Sequence, residues 1–235
     1  MTTFQRARNE TQRSVRRQHI LQNAAAMLAE MPVSKLSLNE LSRRVGLAKS
    51  NVLRYFESRE AVLLELLEQS ARDFITETAD PLRSLILGRE PLHTRIETVA
   101  SGLAASFAAR PMLCELLSAQ AGVLEHNISL DVATRFKKGA PDSILALAEL
   151  LRDLFPELDL RRSQQGAVLI IVMICGLWTH THPAQSVRAV YDANSSFAFI
   201  DSDFPEALHQ TLLVLLKGLI ASTDLIGLPL RADVG

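Results

Sequence analysis

Cysteine is almost missing from this chain of 235 residues: it occurs twice, at Cys114 and Cys175, each time inside an apolar helical stretch. Two such residues support neither a disulfide framework nor a cysteine-based metal site, and a reducing cytoplasm is the compartment that suits them. No apolar h-region follows the polar N-terminus MTTFQRARNETQRSVRRQ, which excludes a signal peptide. Long hydrophobic runs are missing too: the longest, Ala167 to Trp178, has 12 residues, short of the ~18 that a membrane span requires. The expectation is a soluble chain with no membrane partner. No Gly-rich phosphate loop, nucleophile elbow or HExxH occurs, so the chain is not read as an enzyme, and no catalytic residue or cofactor is expected. His180 and His182 follow Cys175 closely, but an i, i+2 pair points apart on a helix and no Asp or Glu is near in sequence, so no metal is expected. Internal repeats, low-complexity segments and strand-like alternation are also absent.

What is present is concentrated between Ser37 and Glu60, SLNELSRRVGLAKSNVLRYFESRE. Leu38, Leu41 and Val45, then Val52 and Phe56, form two helical sets, each too short to stand alone in water, so they must pack on each other. Ser37 with Glu40 reads as a capping box that opens the first helix, and Gly46 closes it, because glycine accepts the left-handed conformation without a Cβ penalty. Two short helices around a glycine-containing turn form a helix-turn-helix. The spacing predicts a second helix from Lys49 to Phe56, with Val52 and Phe56 inward and Ser50, Asn51 and Arg54 outward, Tyr55 at one edge. Arg pairs with guanine, Asn with adenine, and Ser and Tyr hold phosphates, so this face suits the major groove. The plain alternative is the solvated face of a small helical hairpin.

The run from Leu36 to Leu64, with GLAKSNVLRYFESREAVLL at its heart, resembles the DNA-binding domain of the TetR family of bacterial transcriptional regulators. There a Tyr-Phe pair ends the recognition helix and a Ser-Lys/Arg-Glu run opens the next, as Tyr55-Phe56 and Ser58-Arg59-Glu60 do here. Leu53 stands where an aromatic is frequent, and Arg54 where a histidine, tyrosine or tryptophan is common, which bears on the operator sequence and not on the fold. The outward face assigns base reading to Asn51 and Arg54, with Ser50 beside them, and the resemblance implies backbone contacts by Ser37, Lys49, Tyr55 and Arg59.

Charge supports a nucleic-acid partner for the front end alone. Residues 1–60 carry 11 Lys and Arg against 5 Asp and Glu, and residues 61–235 carry 14 against 21, so only the first part is built to approach phosphates. Arg6, Arg8, Arg13, Arg16 and Arg17 lead into a first helix predicted from Ser14 to Met31; Arg6 and Arg8 read equally well as a solubilising tail. Arg43 and Arg44 are further candidates for the DNA backbone.

The length suits this domain, 1–60, plus a larger one, 61–235. Ser58 is expected to cap a long helix to Ala79, and prolines punctuate the rest into helices at 91–109, 111–126, 129–155 with a break near Gly139-Ala140-Pro141, 161–181 and 205–222, joined by a long connection from Pro183 to Phe204. The fold class is all-α. Ala167 to Trp178 and the last helix are apolar around more than one face and need partners on two sides. By resemblance these are the helices through which the family dimerises as a four-helix bundle, with Leu208, Leu212, Leu215 and Leu219 in the interface. A two-fold homodimer suits a palindromic operator on double-stranded DNA. Also by resemblance, the larger domain holds a small apolar or amphipathic effector, for which Phe107, Met112, Leu116, Met173 and Trp178 are candidate lining residues, Phe136 a further one, and Gln120, Thr179 or His180 the polar groups. The expected function is a repressor released by that effector; the alternative is an effector-binding or protein-interaction module with a vestigial DNA-binding head.

Overall fold

The computed structural model describes residues 3–86, 90–200 and 202–222. Among them no strand occurs, and ten α-helices carry the fold. The first is α1 (Thr3–Leu28), which begins well before Ser14, so the basic N-terminal arm is itself helical. Ile20, Leu21, Ala24 and Met27 form its buried face. A 3-10 turn, Val33–Lys35, leads to α2 (Leu38–Val45), capped by the Ser37 hydroxyl, which accepts from the Glu40 amide at 3.2 Å. Gly46 ends α2 at φ 72°, where its N–H reaches the carbonyls of Ser42 and Arg43.

α3 (Lys49–Leu53) is shorter than its apolar spacing predicts, and Arg54 and Tyr55 belong to the turn that follows. Tertiary contact decides this end. Arg17 of α1 lies 4.1 Å above the Phe56 ring, donates to the Tyr55 carbonyl and pairs with Glu65. Val52 and Phe56 are buried as their spacing requires.

α4 (Arg59–Leu85) starts at Ser58, whose hydroxyl accepts from the Ala61 amide at 3.0 Å. It runs on through Pro81, past the expected end at Ala79. A proline costs a helix interior about 3 kcal/mol or more, but here Pro81 faces solvent while Thr78, Ala79 and Leu82 are buried on the other side, so packing offsets the loss. α5 (Leu92–Ala108) and α6 (Pro111–Ala119) follow, and a π turn, Gln120–Leu124, extends α6. α7 (Leu130–Leu154) passes unbroken through Gly139-Ala140-Pro141, correcting the predicted break; Pro141 again faces outward.

α8 (Leu160–Thr181) is the central helix of the larger part, packed on α6, α7 and the last helix, α10 (Phe204–Ala221). It is long and apolar enough by length and composition to cross a membrane, beyond the 12-residue run that the sequence shows. Those helices bury 33% of its most apolar window, and Val172 on its outward face stays 60% exposed. The connection expected as a loop contains α9 (Gln185–Ala193) and a 3-10 turn, Ser195–Phe197. α9 buries none of its side chains, which explains why the core pattern did not reveal it.

Candidate nucleic-acid interface and ligand cavity

The first turn of α3 presents Lys49, Ser50 and Asn51 to solvent, with no neighbour covering them. Arg54 is exposed too, but it leaves from the end of the helix rather than from its outer face. That position joins it to α1: Arg54 and Tyr55 line a groove with Gln12, Arg13 and Arg16. Three guanidiniums around one open groove beside a polar helix turn form an anion-attracting surface. Sequence spacing could not unite them, since Arg13 and Arg54 meet only once α1 has folded over α3.

The remaining candidates divide. Ser37 is exposed but committed to its cap on Glu40. Tyr55 is half-buried, its carbonyl held by Arg17. Arg59, by resemblance a DNA-backbone contact, requires a correction, although a cation at a helix start does call for an anion beside it. Its anion is already in the protein: Nε donates to the buried Glu60 carboxylate at 3.0 Å and Nη1 to the Leu36 carbonyl at 3.2 Å. Arg43 and Arg44 are likewise paired, with Glu40 and Glu30 respectively.

Two contacts tie this head to the larger part. The Val33 amide donates to Glu115 Oε1 at 3.2 Å, and Glu115 Oε2 accepts from the Trp178 indole at 2.9 Å. The Ser129 amide donates to Glu57 at 2.6 Å, which with the Ser129 hydroxyl holds the Glu57 carboxyl below its usual range.

Behind the head, helices α4 to α8 line a partly open cavity of about 100 Å³, walled mostly by apolar side chains including Phe74, Phe107, Leu113, Phe136 and Ile171, with Glu68, Gln120 and Ser143 the polar ones. Phe107, Phe136 and Gln120 were legible as lining residues; Met112, Leu116, Met173 and Trp178 do not line it. Helical geometry explains the difference. Leu113 and Leu117 share the face of α6 turned to the cavity, so Met112 and Leu116, one residue earlier, point elsewhere, Leu116 fully into the core. Met173 is two residues beyond Ile171 and faces away from it. Trp178 lies two turns farther along α8, stacked on His182 at 3.7 Å and edge-on to Phe204 at 5.0 Å. Thr179 and His180 are exposed at the same end, outside the cavity.

Glu68 was missed. It sits between Leu67 and Ala71 on the α4 face that also carries Phe74 and Ile75, and a charge interrupting an apolar stripe is the signal that marks it. Burial pushes its carboxyl above the usual range, Arg72 and Arg135 pulling weakly the other way and Glu65 adding to the rise. Both thiols are also raised by burial, Cys114 to about 12, which leaves them unreactive.

The candidate interface residues on α10 need correction as well. Leu208 and Leu212 are 0% exposed and Leu219 2%, packed into the chain's own core against α5 and α8. Only Leu215 keeps part of its side chain outside. The outward face carries Val214, 74% exposed, and on α8 Val172, 60% exposed.

The comparisons agree with this architecture. Residues 20–66 match the family described as bacterial regulatory proteins, tetR family, and residues 68–223 the one described as tetracyclin repressor-like, C-terminal domain. No curated protein matches the sequence. Among solved structures, a putative TetR-family transcriptional regulator from Mesorhizobium loti MAFF303099 is similar at 14% identity and a TM-score of 0.51, over 89% of this chain and 96% of that one. A TetR transcriptional regulator from Rhodococcus sp. RHA1 is similar at 14% identity and a TM-score of 0.51, over 92% and 99% respectively. These likenesses show a shared fold, and the two family matches together cover most of the chain. The chain belongs to the TetR family of bacterial transcriptional regulators.

Proposed function

We propose that the protein is a repressor that binds a palindromic operator as a homodimer and leaves it when a small molecule fills the cavity. The observation that carries this reading is the exposed turn of Lys49, Ser50 and Asn51 beside the groove of Arg13, Arg16 and Arg54. Asn51 and Arg54 read bases in the major groove, Ser50 assists, and Lys49 with Arg13 and Arg16 neutralises phosphates. Ser37 and Tyr55 lie beside this surface as backbone contacts, whereas Arg59 acts inside the protein.

Dimerisation uses the outward faces of α8 and α10. Val172 and Val214 are the exposed apolar residues there, and Gly176 and Gly218 have nothing within 4 Å of where a Cβ would stand, so a second pair of helices can approach closely. Two heads on a two-fold axis meet half-sites one helical turn apart, about 34–36 Å. With DNA as partner, the cytoplasm is the place of action. The cavity supplies the release: an effector that binds the DNA-incompetent state more tightly by about 1.4 kcal/mol lowers operator affinity tenfold.

The test is a gel shift of the full chain against genomic fragments at two salt concentrations, followed by sequencing of the retained DNA. Specific retention of fragments sharing a palindrome is expected, with affinity falling steeply with salt, because log K declines by about 0.9 for each phosphate neutralised per decade of salt. Salt-independent retention, or none, removes the proposal.

A further inference from the structure

The cavity's walls carry one formal charge among the described residues, the carboxylate of Glu68. Neither an N–H nor an O–H of the described residues donates to it, and its nearest cation, Arg72, stands 4.0 Å away with its own side chain largely exposed. A half-buried carboxylate in apolar surroundings without a hydrogen bond is costly, since the Coulomb attraction of Arg72, largely exposed, and of Arg135 does not replace lost hydration, and the net effect of burial still raises the carboxyl.

A second feature accommodates the same carboxylate. Gly139 lies within α7, where glycine costs about 1 kcal/mol relative to alanine. A Cβ there would stand 3.3 Å from Glu68 Oε1, so the missing side chain is what gives the carboxylate room at the cavity wall. The other polar groups point the same way. Gln120, in the π turn, commits its amide N–H to Glu125 at 2.8 Å, and Glu125 is held in turn by Lys137 at 2.7 Å. That leaves the Gln120 side-chain oxygen as an acceptor and its second N–H as a donor. The polar end of the cavity thus joins the Glu68 carboxylate and the Gln120 oxygen with groups that can also donate, the Ser143 hydroxyl and the second Gln120 N–H, and Glu68 is the one that carries charge; hydrocarbon lines the rest.

We infer that the cavity selects small apolar molecules bearing one protonated amine, with the ammonium on Glu68 and the hydrocarbon body against Phe74, Phe107 and Phe136. A carboxylate-bearing ligand would meet Glu68 with like charge, and a neutral alcohol would leave that carboxylate uncompensated. A partly open cavity of about 100 Å³ has room for a short alkyl chain, given that benzene occupies one of ~150 Å³. This inference rests on the reading of the cavity as the effector site and names the class of compound that enters it.

The experiment titrates the full chain with n-butylamine, n-butanol and butyrate at pH 7.5 and constant ionic strength, by calorimetry and by saturation-transfer NMR. The amine is expected to bind at least tenfold more tightly than the alcohol, with butyrate weaker still. In Glu68→Gln the amine should lose its advantage and fall to the level of the alcohol. The comparison among the three probes on the unaltered protein stands even if the variant folds poorly. Butanol or butyrate binding as tightly as butylamine overturns the inference and leaves the effector reading intact, as does an amine preference that survives Glu68→Gln. No binding by any of the three overturns both. Glu68-dependent amine binding that leaves the operator complex unchanged upholds the inference and removes release as its consequence.

Discussion

A carboxylate set on the apolar side of α4 makes stability depend on pH in an unusual direction. Burial raises the Glu68 carboxyl above its ordinary 4.5, so between the unfolded and folded values the native state binds more protons than the unfolded one. Stability therefore falls as pH rises through that window, and the full cost is present above the folded value. Glu68→Gln removes the charge and is expected to raise the Tm at pH 7.5, with the difference shrinking as pH falls toward 4.5, measured by thermal unfolding across that range. A gain that is the same at both ends would mean the charge is not its source. Residues kept at a stability cost are typical of binding sites. The reading head gives a second residue-scale contrast. Arg54→Ala is expected to cost about 1 to 3 kcal/mol and to relax specificity at one base per half-site, while Lys49→Ala weakens every sequence alike. Competition between operator and random DNA measures both, and equal losses on the two DNAs for Arg54→Ala would take base reading away from it.

At the scale of elements, local chemistry was legible and tertiary choice was not. Ser37, Gly46 and Ser58 mark helix ends in the sequence and do so in the structure, because a cap depends on its own few residues. The length of α3 depends on Arg17, which arrives from another helix, and the continuity of α4 and α7 through Pro81 and Pro141 depends on what their far sides bury. The cavity lining depends on which faces of five helices converge, so a list of apolar residues captured Phe107 and missed Glu68. The same limit shaped the reading of α10, which carries apolar residues on both faces; spacing does not say which face meets its own core. The structure orients it, and two substitutions test the orientation. Leu212→Ala is expected to cost about 2 to 5 kcal/mol as a buried truncation, without changing self-association. Val214→Arg, at a position 74% exposed in one chain, is expected to leave the unfolding of the single chain nearly unchanged and to shift sedimentation from dimer to monomer. A Val214→Arg protein that still sediments as a dimer would move the interface elsewhere.

At the scale of the whole molecule, α4 is both the last helix of the head and a wall of the cavity, with Ala61 and Leu64 in the core near one end and Glu68, Ala71 and Phe74 at the cavity farther on. An occupant larger than the cavity would displace α4, α7 or both, since interiors packed to high density shift rather than compress. The displacement has a defined route to the head through Glu115, which accepts at once from Val33 before α2 and from Trp178 on α8. A substitution can stand in for a ligand. Ala71→Leu projects three more carbons into the cavity and is expected to weaken operator binding while leaving the dimer intact, as read by titration of labelled DNA beside sedimentation. Adding Glu115→Gln tests the route, because an amide offers only one acceptor oxygen to two N–H donors and turns its own N–H toward the other. If Glu115 carries the signal, Glu115→Gln shrinks the effect of Ala71→Leu on operator affinity, and the two changes combine non-additively. If the two changes simply add, α4 alone transmits the displacement and the Glu115 bridge only fastens the head in place.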